Sequence, residues 1–102
     1  MNRTLLTATI IVASLGIVGA AQAAGNAATG KTKSASCVAC HGANGQGVPP
    51  NPPLAGMPEA QHVQALKDYK SGKRTNPVMK GLAASLSDQD MEDLSAYYAS
   101  LK

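Results

Sequence analysis

Cys37-Val38-Ala39-Cys40-His41 is the segment around which the rest of this sequence can be interpreted. Two cysteines at this spacing, followed directly by a histidine, are used to attach a c-type haem covalently. At the end of a helix the two thiols lie on one face, where each can form a thioether to one vinyl group of the porphyrin. The histidine then lies under the ring and can ligate the iron. We predict covalent haem on Cys37 and Cys40, with His41 as the proximal ligand.

Closely spaced cysteines have three other uses in proteins. A thioredoxin-like redox dithiol needs surrounding strands, and no run of alternating β-branched residues follows residue 24. A disulfide across so short a loop would remove little chain entropy. A zinc site could draw on these cysteines, His41 and the distant His62, but the adjacent Cys40 and His41 are awkward to direct at one tetrahedral centre. Covalent haem is therefore favoured over all three.

The second axial ligand is predicted within the segment 75–81, Thr-Asn-Pro-Val-Met-Lys-Gly. Met79 offers a soft, neutral thioether, and His/Met ligation favours the ferrous state, which suits an electron carrier. The proline and glycine on either side of it predict a rigid, non-helical loop. Met57, at a helix start, and Met91, on an apolar helix face, are rivals, and His62 is a further alternative ligand.

The N-terminal residues 1–23 have the pattern of a secretory signal peptide. Arg3 provides the positive end, residues 5–21 form an apolar run, and Ala21-Gln22-Ala23 is a small-x-small cleavage site. The alternative is an uncleaved membrane anchor, for which the apolar run is barely long enough. We predict cleavage before Ala24, a single domain over residues 24–102, and a location in the periplasm.

The composition indicates that this domain has too few large apolar side chains to form a stable core by itself. The chain has 102 residues and three tyrosines, and it contains neither phenylalanine nor tryptophan. So short a chain usually depends on a staple, a metal or a cofactor to bury enough apolar surface. A haem would supply the missing apolar body, so we expect the haem-free protein to be largely unfolded.

The charge is modestly basic, with nine Lys and Arg against six Asp and Glu, a net charge of +3. Basic side chains cluster in residues 67–74 and most acidic ones in residues 88–93. A basic rim could attract an acidic partner, although such runs on small helical proteins are more often solvated faces. Basic and aromatic residues are not interleaved, so we expect no nucleic-acid binding.

Three stretches have helical patterns. The first is predicted to start near Asn26 and to run to the cysteines, the second to cover residues 58–71, and the last to start at the N-cap Ser87. Gly30 in the first helix suggests a close crossing, and we predict that Tyr97 of the last helix packs there.

The intervening residues 42–56 are rich in glycine and proline, which excludes a regular helix. A metal-ligating histidine normally donates its other ring N–H to an oxygen. The carbonyl of Pro52 or Pro53 is the predicted acceptor for His41.

Taken together, these residues resemble the class I cytochromes c, specifically the small bacterial single-haem type and the individual lobes of the two-haem respiratory cytochromes. The motifs that carry the resemblance are, in order, Gly30, Cys37-x-x-Cys40-His41-Gly42-Ala43, Leu54-Ala55-Gly56, Lys67-Asp68-Tyr69-Lys70-Ser71-Gly72, Asn76-Pro77-Val78-Met79 and Leu86-Ser87-Asp88-Gln89-Asp90. The resemblance implies an all-α fold of three to four short helices wrapped around one covalent haem. It also implies His41 and Met79 as axial ligands and electron transfer through an exposed haem edge.

The predicted function is that of a periplasmic electron carrier rather than an enzyme, since no catalytic base, nucleophile or substrate pocket stands out beside the haem. The alternatives are a haem subunit of a larger oxidoreductase complex and an open-site haem protein that binds a small ligand. We expect redox proteins as partners, namely a donor and an acceptor such as a respiratory complex, a dehydrogenase or a terminal oxidase. Some of these partners would be membrane-associated, and the chain itself would be a monomer or weak dimer.

Overall fold

Helices dominate residues 25–101, the part of the chain that the computed structural model describes. They are α1 (Ala27–Lys33), α2 (Ala35–His41), α3 (Glu59–Ser71), α4 (Pro77–Ala84) and α5 (Asp88–Ser100). Over the same residues the β pairing is limited to an isolated bridge between Val48 and Asn51, and no helix is long and apolar enough to cross a membrane. The predicted all-α class is confirmed, with five helices where we expected three to four. The predicted leader lies outside the described residues.

The first predicted helix is present but is divided in two. Asn26 caps α1 as expected, with its side chain accepting a hydrogen bond from the N–H of Thr29. Ser34 ends α1 and begins α2, and its hydroxyl donates to the carbonyl oxygen of Lys31 instead of pointing into solvent. Serine competes in this way with the helical hydrogen bonds of the backbone, which explains why the helix is interrupted there.

The other predicted helix boundaries are found close to where the sequence placed them. Pro58 precedes α3, and Gly72 ends it in the left-handed conformation at φ +85°, where a side chain would be strained. Ser87 caps α5 in a capping box with Asp90, each side chain accepting from the backbone N–H of the other residue. These ends are set by local chemistry, which is why the sequence predicts them.

The segment that carries Met79 differs from the prediction, because residues 77–84 form α4 and not a loop. Pro77 occupies the first helical position, where its fixed φ suits a helix and its missing N–H costs nothing. Asn76 caps this helix through its side-chain oxygen. The proline therefore starts a helix instead of preventing one.

The terminal helices α1 and α5 cross at Gly30. An added Cβ at this glycine would lie 2.8 Å from the Cβ of Tyr97 and even closer to the carbonyl of Asp93. Gly30 is itself buried. The predicted contact between Gly30 and Tyr97 is confirmed, and the absence of a side chain is what permits the close approach.

Replacing Gly30 by alanine is expected to destabilise the protein by about 2 kcal/mol, since the added methyl group meets backbone atoms that cannot move aside independently. Thermal and denaturant unfolding measure the change. Gly81→Ala is the matched control, because Gly81 also lies in a helix and an added Cβ there meets nothing within 4 Å. That variant should gain roughly 0.5–1 kcal/mol from helix propensity alone. Equal stabilities for the two variants would contradict the crossing.

Asp93 joins the same two helices through hydrogen bonds, and this set of contacts is called the Asp93 clamp below. Only 3% of this residue is exposed, and its carboxylate accepts hydrogen bonds from Lys33 Nζ at 2.8 Å, from the N–H of Asn26 at 2.8 Å and from Gln89 at 2.9 Å. Lys33 also pairs with Asp90. The bond from Lys33, followed by those from Asn26 and Gln89, lowers the pKa of Asp93 to about 2. In the sequence alone, Asp93 is only one member of an acidic run.

The Asp93 clamp predicts an acid-dependent loss of stability. The pKa of Asp93 is lower in the folded protein than in the unfolded chain, so its contribution is fully present above about pH 4 and is lost as the pH falls towards 2. Asp93→Asn should lower the melting temperature by about 5 °C at pH 7, and this difference from the parent should shrink below pH 4. Melting curves of both proteins from pH 7 to pH 2.5 provide the measurement. A difference that does not vary with pH would show that the charge of Asp93 is not what joins the helices.

Candidate functional site

The C-x-x-C-H segment forms α2, a helix of seven residues that ends at His41. Cys40 and His41 lie three and four positions after Cys37, so both are on the same face of the helix as Cys37. Cys37 is half-buried and Cys40 is exposed. Burial raises the pKa of the Cys37 thiol. Cys37, Cys40 and His41 all line the same cavity.

The imidazole of His41 is held in one orientation. The residue is 6% exposed, and its Nδ1 lies 2.7 Å from the carbonyl oxygen of Pro52. A carbonyl can only accept, so Nδ1 carries a proton, and in the neutral ring Nε2 is then the unprotonated nitrogen that a metal requires. Of the two predicted acceptors, Pro52 is the one that the structure uses.

The loop after α2 fixes the position of Pro52 through hydrogen bonds to the helix end. The N–H of Gly47 donates to the carbonyl of His41 at 2.7 Å, and the side chain of Asn51 donates to the carbonyl of Cys40 at 2.9 Å. Farther along, the N–H of Leu54 donates to the carbonyl of Gly45 at 2.7 Å. The loop thus returns to the helix that carries the cysteines, and the carbonyl of Pro52 is brought within hydrogen-bond distance of Nδ1 of His41.

Met79 lines the same cavity but belongs to a different helix, α4. It lies in the first turn of α4 and is partly buried. Of its rivals, Met57 also lines the cavity, whereas Met91 is fully buried in the core and does not. The structure thus brings all four predicted site residues to one cavity, and their bonds to a haem stay a prediction.

The cavity has a volume of about 340 Å³ and lies between α2, α3, α4 and α5. Most of its wall is apolar. The apolar side chains that line it include Leu54, Leu66, Leu82, Leu86 and Leu94. Such a wall suits a large apolar body and excludes water from it.

Two polar groups at this cavity lack partners. His62 is 4% exposed, its Nδ1 has no hydrogen-bond partner among the described residues, and burial lowers its pKa to about 4. The hydroxyl of Tyr98 is also buried without a partner there, and burial raises its pKa to about 12. The two rings are 5.6 Å apart. Buried polar atoms normally find a partner in protein, ligand or ordered water, so this cavity is suited to an occupant that has polar groups as well as an apolar body.

The depth of His62 is the feature of the site that sequence analysis missed. We expected a helix histidine at the surface or in packing, with iron ligation as an alternative, and it packs against Tyr98 while also lining the cavity that contains His41. Its place four positions before Leu66, on the same face of α3, is the available signal. Among residues 25–101 no three His, Cys, Asp or Glu side chains converge where they could hold a metal ion.

The groups around the cavity fit a c-type haem. They provide two thiols for its vinyl groups, an unprotonated nitrogen and a thioether for its iron, and apolar walls for its ring. Fold and site together define a small, all-α haem protein.

The comparisons with known proteins identify the family. A family model described as "Cytochrome c" matches residues 27–102. The chain belongs to the cytochrome c family, whose cofactor is a covalently attached haem, and the spacing of Cys37, Cys40 and His41 is the attachment spacing.

Individual relatives agree with this assignment. The chain is 48% identical to cytochrome c4 of Pseudomonas aeruginosa over 103 residues, which cover 100% of this chain and 50% of that protein. It is 42% identical to cytochrome c-554(548) of Halomonas halodenitrificans over 81 residues, or 76% of this chain and 98% of that protein. The crystal structure of reduced recombinant cytochrome c4 from Pseudomonas stutzeri superposes with a TM-score of 0.73 at 40% identity, covering 78% of this chain and 47% of that one. The chain therefore spans about half the length of the cytochrome c4 relatives that it matches.

Proposed function

We propose that this chain is a periplasmic one-electron carrier in which Cys37 and Cys40 hold the haem by thioethers and His41 and Met79 are its axial ligands. The observation that supports the proposal best is that the C-x-x-C-H helix and a methionine from α4 border one apolar cavity. The haem, when bound, supplies iron that alternates between the ferrous and ferric states.

The residues of the chain have three tasks in this proposal. Pro52 holds the imidazole of His41 in one orientation and, by accepting a hydrogen bond from Nδ1–H, makes the other ring nitrogen a better ligand for the iron. Met79 provides a neutral sulfur, which favours the reduced state. The leucines around the cavity exclude water from the cofactor. With side chains in both axial positions no substrate would reach the metal, so we propose a carrier and not an enzyme.

We also propose that residues 1–23 are removed on export and that the mature chain begins at Ala24. This proposal rests on the sequence pattern described above. The mass of the protein recovered from the periplasmic and membrane fractions identifies the first residue directly. A mass that includes residues 1–23 would instead support the membrane anchor.

The partners would be an electron donor and an electron acceptor. A second candidate function, a haem module that acts as part of a larger assembly, is favoured by one observation: the cytochrome c4 relatives are about twice as long as the matched region. Gel filtration of native periplasmic extract separates the two, since a free carrier elutes as a small monomer or weak dimer and a subunit elutes with its complex.

Absorption spectroscopy of the exported, haem-containing protein tests the central proposal. We expect a sulfur–iron charge-transfer band in the red region of the ferric spectrum and one reversible one-electron step in a redox titration. An open-site haem protein would lack that band and would bind small ligands at the iron without competition from a side chain. That result would overturn the proposal of an electron carrier with two protein ligands.

A further inference from the structure

The side chain of Asn76 is bonded to the backbone of the proposed iron ligand. Its Oδ1 accepts hydrogen bonds from the N–H of Met79 at 3.0 Å and from the N–H of Val78 at 3.1 Å. Asn76 itself lines the same cavity. The residue that fixes the start of α4 therefore also fixes the backbone from which the Met79 sulfur extends.

The start of α4 is mostly exposed to solvent. The helix has eight residues, of which only Ala83, near the other end, is fully buried. A helix so short is unstable by itself in water. Its first turn contains no acidic side chain that would interact favourably with the helix dipole. The Asn76 cap and the proline that follows it are thus the main local restraints on the turn that carries Met79.

We propose that Asn76 is a positioning residue that keeps the thioether of Met79 on the haem iron by capping α4. The inference rests on the proposed function, in which Met79 is the second axial ligand. While the sulfur is bound, the first turn is held in place and both cap bonds are present. When the sulfur leaves the iron this turn is free to unwind, so the cap favours the bound state.

Competition with imidazole measures this equilibrium in the ferric, haem-containing protein. Free imidazole binds the iron only when Met79 has left, so its apparent affinity reports the fraction of protein in the open state. Asn76→Ala removes the cap and should raise the apparent affinity by about fivefold, with a weaker sulfur–iron band under the same conditions. Asn76→Asp keeps an equally good cap and should restore the behaviour of the parent protein.

Ser87→Ala is the matched control. Ser87 caps α5 through its hydroxyl, as Asn76 caps α4 through its amide oxygen, but it does not line the cavity. Its replacement should lower the melting temperature by a similar amount and leave the affinity for imidazole unchanged. This comparison separates control of the ligand from general loss of stability.

Asn76→Gly provides a milder change if the alanine variant fails to incorporate haem. Glycine is a fair N-cap, so this variant should raise the affinity for imidazole by roughly twofold or less. If imidazole binds the cap variants and the parent equally tightly while the sulfur–iron band is intact, the inference is overturned and the proposed function is unaffected. If the parent itself lacks the band, Met79 is not the ligand, and the proposed ligation and this inference both fail.

Discussion

Replacement of both Cys37 and Cys40 by alanine is expected to yield a chain with no covalently attached haem and no cooperative thermal transition. The apolar side chains that the described structure buries are few, namely Leu54, Val63, Leu66, Ala83, Met91, Leu94 and Tyr98. A cavity of about 340 Å³ adjoins several of them. Without a cofactor in that cavity, a domain of this size buries too little apolar surface to offset its conformational entropy. The expected loss equals the whole free energy of unfolding, about 5 kcal/mol.

Mass spectrometry under denaturing conditions and circular dichroism melts test the two parts of this expectation separately. The parent should have the mass of the peptide plus one haem, and the double variant should have the mass of the peptide alone. Val38→Ala is the control, since it changes the same helix between the two thiols and removes no sulfur. A haem-free double variant that melts cooperatively near the temperature of the parent would show that the polypeptide folds without its cofactor.

The parts of this molecule that could be predicted from sequence are those that depend on neighbours in the chain. Ser87 and Asp90 are three residues apart, so their capping box needs no other part of the protein. The cysteines and His41 lie within five residues and share a face as soon as a helix forms. The Gly30 crossing was predicted from a different signal, a glycine where a helix should otherwise avoid one.

The parts that could not be predicted depend on contacts between distant segments. Asp93 is one of several acidic residues in α5, and only the packing against α1 shows that it is the one that bonds both Lys33 and Asn26. His62 is buried because of how α3 lies against Tyr98 of α5. The helix that carries Met79 could not be predicted for another reason. A proline preceded by asparagine is compatible both with a turn and with a capped helix start.

Replacement of Met79 by alanine should have the largest effect on the chemistry of the site. We expect the sulfur–iron band of the ferric protein to disappear and the reduction potential to fall by a few hundred millivolts, a substantial part of the roughly 0.8 V range that axial ligands set. Loss of the soft thioether removes the ligand that favours ferrous iron, so the ferric form becomes relatively more stable. Absorption spectra and a redox titration of the haem-containing variant measure both changes.

Met57→Leu is the control that makes this experiment decisive, because Met57 lines the same cavity and is the other methionine that could supply sulfur. Leucine keeps a similar volume, so the cavity wall should remain packed and both the band and the potential should match those of the parent. The reverse result, with the band lost in Met57→Leu and kept in Met79→Ala, would identify Met57, just before α3, as the ligand. If instead His62 ligates the iron, the parent protein would have a low-spin spectrum without the sulfur band, and neither methionine variant would change it.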